Sequence, residues 1–112
     1  MLVRTNLIPK AFDAFTCWPF IFVRPACARD EGLLIHERVH YEEQRKSWVV
    51  PWLLRYAVSK RFRFEAELRG YCAQIRCGGI DLDRAAELLS LYGTGVTVAD
   101  ARSALAAALS DA

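Results

Sequence analysis

Leu33-Leu34-Ile35-His36-Glu37-Arg38-Val39-His40 is the segment from which the rest of this sequence is read. Asp30 stands where a helix needs a side-chain acceptor for its free amides, and Leu33, Leu34, Val39 and Tyr41 recur at helical spacing. The pattern therefore predicts a helix running on through Gln44. At 3.6 residues per turn His36 and His40 share one face, about one turn apart, where two imidazole nitrogens reach a single zinc ion. They are the only 2 histidines in the chain. Glu37 flanks that position without ligating it, placed to act as general base toward a metal-polarised water. The competing reading is two surface histidines beside a glutamate that supports a basic neighbour such as Arg38.

A hydrolytic zinc site takes three protein ligands and keeps one position open, so a carboxylate must complete the set. Glu43 lies on nearly the same face as His36, but three ligands from one straight helix converge poorly on a tetrahedral centre. Glu42 points elsewhere on the helix. Glu65 and Glu67 lie on a later helix predicted over 61–76, with Phe64, Leu68, Tyr71, Cys72 and Ile75 as its apolar stripe and Gly78-Gly79 as its stop. Both flank that stripe, and periodicity does not choose between them. Tyr56 and Tyr71 are candidate donors to a developing oxyanion.

Working outward, Leu2 to Ile8 and Trp18 to Val23 are rich in β-branched and aromatic residues and bounded by prolines, which predicts two short strands forming a small hairpin. Pro51 separates a second helix, 48–58, from the histidine helix. Asp81 caps a helix over 82–92, and Thr97 with Asp100 three residues on opens one that ends near Leu109. The expected fold is α+β, mainly α, with residues 1–112 forming one minimal domain.

Composition narrows the partners. Hydrophobic residues at 54% and charged residues at 25% describe a globular chain, and a net charge of +2 is too small to argue for nucleic acid. The basic residues Arg55, Lys60, Arg61, Arg63 and Arg69 read as a solvated helix face broken by Glu65 and Glu67. The four cysteines match neither a zinc ribbon nor a disulfide scaffold, and are read as reduced and mostly buried in a cytoplasmic protein. The apolar run from Trp48 to Leu54 is far short of a bilayer span.

The run from Leu33 to His40, followed by Gln44 and by Phe64-Glu65-Ala66-Glu67-Leu68-Arg69, resembles the small gluzincin-like metallopeptidases of phages and bacteria. The extended segment 19–25 is also similar to theirs, so the resemblance covers roughly residues 18–75. Arg38 and Leu68 stand where that pattern usually has an uncharged residue and an alanine. The resemblance implies that Glu65, the first glutamate of the second motif, is the third zinc ligand. It also implies hydrolysis of a peptide or protein substrate with Glu37 as base. The alternative is a non-catalytic zinc-containing module that uses Trp48, Trp52 and the basic residues to bind a protein.

Overall fold

Asp30, Ser59, Asp81 and Thr97 each accept a hydrogen bond from the backbone amide three residues on, so four helices begin at a side-chain cap. The computed structural model describes residues 1–111. Within them the chain runs β1 (Leu2–Arg4), β2 (Ala14–Cys17), β3 (Phe20–Val23), a 3-10 turn (Pro25–Cys27), α1 (Glu31–Ser47), α2 (Val49–Val58), α3 (Lys60–Arg76), α4 (Leu82–Ser90) and α5 (Val98–Ser110). The architecture is α+β, mainly α, as expected.

α1 continues past Gln44 to Ser47 and stops where Trp48 takes a left-handed backbone, φ 74. Pro51 falls in the first turn of α2, where its missing amide costs no helical hydrogen bond. α4 ends at Ser90, two residues before the expected Tyr92, and Gly93 continues the turn at φ 64.

The sheet corrects the expected pairing. Its order is β1-β3-β2, and the first and last of the anticipated segments, β1 and β3, run parallel. The antiparallel hairpin is instead made by β2 and β3 across Trp18-Pro19. β2 was missed because four residues, Ala-Phe-Thr-Cys, are too short to establish an alternating pattern. Met1 and Thr5 bond to the β3 backbone on one side and β2 covers the other, so β3 is central and β2 is an edge.

The apolar core lies among α3, α4 and α5, where Tyr71, Cys72, Ala85, Ala86, Leu89, Ala101 and Leu105 are buried. Burying each of the two leucines stabilises the fold by about 1.5–3 kcal/mol. Phe64, Leu68 and Ile75 pack against the same cluster. This anchors one face of α3 and leaves another free to cross α1. At the end of that crossing Gly32 meets Gly79 so closely that a Cβ on Gly32 would lie 2.8 Å from the Gly79 backbone. Of the cysteines only Cys72 is buried and Cys77 is exposed, so the expectation that most are buried is corrected; all four are free thiols.

Candidate metal centre

The α1–α3 crossing places His36 against Gly70, where a Cβ would sit 2.6 Å from His36 Nε2. Glycine at this position makes room for the imidazole between the helices. His36, His40 and Glu67 are each at most 4% exposed, which excludes the surface-pair reading of the histidines. His36 Nε2 lies 3.2 Å from Glu67 Oε2, and His40 Nε2 lies 3.0 Å from Glu67 Oε1. One ligand atom from each residue falls within 4.8 Å of the other two.

The outer nitrogens are held separately. His36 Nδ1 donates to Gln74 Oε1 at 3.1 Å, and His40 Nδ1 faces Glu43 Oε1 at 3.5 Å. Glu43 is fixed in turn by Arg69 and by the Trp52 indole, which donates at 3.3 Å. With their Nδ1 protons directed outward, both imidazoles turn Nε2 toward the carboxylate. Two nitrogen lone pairs facing two carboxylate oxygens repel unless positive charge lies between them. His40 Nε2, although 3.0 Å from Glu67, is not aligned for a hydrogen bond and is the one fully buried side-chain polar atom without a hydrogen-bond partner among the described residues.

These residues fit a divalent ion on the chemistry of the donor set. Ligands about 2.0–2.1 Å from zinc at tetrahedral angles stand about 3.3 Å apart, close to the two nitrogen–oxygen separations found here. Outward acceptors on both histidines are the usual support for metal-binding imidazoles.

Glu65, the ligand implied by the resemblance, is not brought to the histidines. It pairs with Arg61 at 2.9 Å, one turn earlier, and its side chain is half exposed. The correction follows from the face that α3 turns to α1: Ala66, Glu67, Gly70, Tyr71 and Gln74 are all buried. Small residues one turn apart, Ala66 and Gly70, were the signal that marked this face in the sequence, and Glu67 lies on it. Glu43 supports His40 and is not one of the three converging ligands.

Glu37 is buried and accepts a hydrogen bond from the Thr16 hydroxyl at 3.1 Å. It lines a cavity of about 150 Å³ together with His36, His40, Glu67, Thr16 and Tyr56. Tyr56 donates to Glu67 Oε1 at 3.2 Å, and Tyr71 packs edge-on against His36 while donating to the Tyr92 hydroxyl at 3.3 Å. The expected basic face is partly consumed by structure: Arg63 donates to the carbonyls of Tyr56, Ala57, Tyr92 and Gly93, and Arg69 serves Glu43.

Strand β2 presents its edge to this cavity. Val23 O and Ile21 N bond toward the β1 side, so Ala14 and Thr16, their partners in β2, direct main-chain groups away from β3. Gln44 Nε2 donates to Thr16 O, and Gln44 Oε1 accepts from Trp18 N. One buried amide thus occupies part of the edge as a neighbouring strand would.

Charge at the centre is polarised. Burial opposes ionisation of Glu67, but the positive charge of His40 beside it and the close His36 imidazole hold its carboxyl below the ordinary range. For His40 burial likewise opposes the charge, and Glu67 and Glu43 outweigh it, pushing it up to about 10. Burial and the Glu67 charge raise Tyr56 and also raise Tyr92 to about 12. Burial and Tyr92 raise Tyr71. All three phenols therefore keep their protons at neutral pH and remain donors.

Comparison with protein-family profiles, with curated proteins and with solved structures finds no match in any of the three.

Proposed function

We propose that His36, His40 and Glu67 hold one zinc ion and that the protein hydrolyses peptide bonds with Glu37 as general base. The observation that carries this reading is the inward convergence of two outward-tethered imidazoles on one buried carboxylate, with Glu37 beside them in the same cavity. When bound, the ion supplies a Lewis acid and lowers the pKa of water.

The chain's own residues supply the remainder. Thr16 holds one oxygen of Glu37, leaving the other to take a proton from the attacking water and pass it to the departing nitrogen. Tyr56, on α2, donates to Glu67 and so holds the carboxylate in place beside the histidines. The outward main-chain groups of Ala14 pair with an extended substrate segment laid along β2. The small cavity takes a single residue at the scissile bond, so the rest of the substrate lies outside on the surface.

Glu37 favours this over a non-catalytic zinc module, because a buried carboxylate next to the ligands but outside the ligand set has no structural work to do beyond one hydroxyl contact. The test is Glu37→Gln in zinc-loaded protein assayed against an unstructured peptide library. The variant is expected to keep its zinc and lose about 100- to 10,000-fold in rate. Equal rates in the two proteins reject Glu37 as base, and a zinc-loaded wild type that cleaves nothing rejects the peptidase reading.

A further inference from the structure

Helix α2 has two faces of opposite use. Trp52 and Tyr56 turn inward to the metal centre, whereas Val50, Leu54 and Val58, four residues apart, form an apolar ridge on the outside. Leu54 is 61% exposed, Val58 80%, and Trp48 at the α1–α2 corner 78%. The left-handed backbone at Trp48 is costly for a non-glycine residue, yet it delivers an indole to water rather than to the core.

Along α2 and the corners that flank it the charge has one sign. Between Glu43 and Glu65 there is no acidic residue. Arg61 and Arg63 are engaged with Glu65 and with carbonyls, while Lys46, Arg55 and Lys60, at the two ends and the middle of the ridge, make no ion pair among the described residues.

We infer that α2 docks this protein on an anionic lipid surface, with Trp48, Val50, Leu54 and Val58 inserted among the headgroups and Lys46, Arg55 and Lys60 facing lipid phosphates. A second copy of the chain does not fit, because joining two such faces brings the unpaired cations together with no anion between them. Side chains that protrude from a single helix need no complementary pocket in a fluid interface, and an exposed tryptophan is at home at headgroup depth. Each cation near an anionic surface strengthens attachment about fivefold. No helix here is long and apolar enough to cross a membrane, so the attachment is peripheral. None of the inserted residues belongs to the metal centre, and the inference stands apart from the catalytic reading.

Flotation of the full chain with phosphatidylcholine vesicles, alone or containing roughly 30% phosphatidylglycerol, tests it. Expected are binding at least about tenfold stronger to the anionic vesicles, loss of that binding at high salt, and a blue shift of tryptophan emission that Trp48→Ser removes. Leu54→Glu should weaken binding by about tenfold or more, and Lys46→Gln with Arg55→Gln by about 25-fold, with circular dichroism and melting unchanged. Equal binding to neutral and anionic vesicles, or binding indifferent to Leu54→Glu, overturns the inference. So does retention on immobilised polyglutamate without any vesicle binding, which would identify an acidic protein partner instead.

Discussion

Glu65 and Glu67 are chemically identical and two positions apart, and at helical spacing that is roughly 200° of rotation, enough to separate a surface ion pair from a buried contact with two imidazoles. Glu67→Gln is expected to weaken zinc binding about 100-fold or more, because a buried charged oxygen is lost from the ligand set. Glu65→Gln should leave zinc affinity within about twofold, since its partner is the exposed Arg61. Competition titration with a chelating dye at one pH measures both; the reverse order of affinities would restore the ligand implied by the resemblance. His36, His40 and Glu37 were readable because their relationship is local, set within one helical turn. Gln74 and Thr16 were not readable as site residues, because their partners lie 38 and 21 positions away along the chain, and for Tyr56, named as a candidate donor, the contact with Glu67 was not.

At the level of the element, α3 is the piece on which fold and site depend together. One side carries Phe64, Leu68, Cys72 and Ile75 to the core, and the other carries Ala66, Glu67, Gly70 and Gln74 to α1. Gly70 is the narrowest point of that contact. Gly70→Ala improves helix propensity by about 1 kcal/mol, but the new methyl would displace the His36 ring or part the helices, at a cost of about 1–3 kcal/mol. The expected outcome is a net loss of stability in the metal-free protein together with weaker zinc binding. Denaturant unfolding and the same zinc titration check the two effects separately. A variant that is more stable and binds zinc unchanged would show that the crossing has slack the present geometry denies.

Across the whole molecule, the helical crossing that forms the candidate centre and the cluster among α3, α4 and α5 share a single helix, so occupancy of the centre should be felt in global unfolding. At a free zinc concentration about 100 times the dissociation constant, ligation adds about 2.7 kcal/mol, or about 10 °C or more in melting temperature for a chain of this size. Scanning calorimetry before and after a chelator measures it. No shift on adding or removing zinc would mean that the three residues do not bind the ion in the folded state. By itself the sequence determined the helices and three of their caps, because Asp30, Asp81 and Thr97 act on amides three residues away, and it determined the histidine pair for the same local reason, whereas the Ser59 cap emerged only with the structure. Only the tertiary structure decided that β1 pairs parallel with β3, that Glu67 rather than Glu65 meets the histidines, and that Arg63 and Arg69 are structural while Lys46, Arg55 and Lys60 make no ion pair among the described residues. Each of these rests on which faces meet between segments distant in the chain, and residue spacing within one helix or strand carries no information about the angle at which another will cross it.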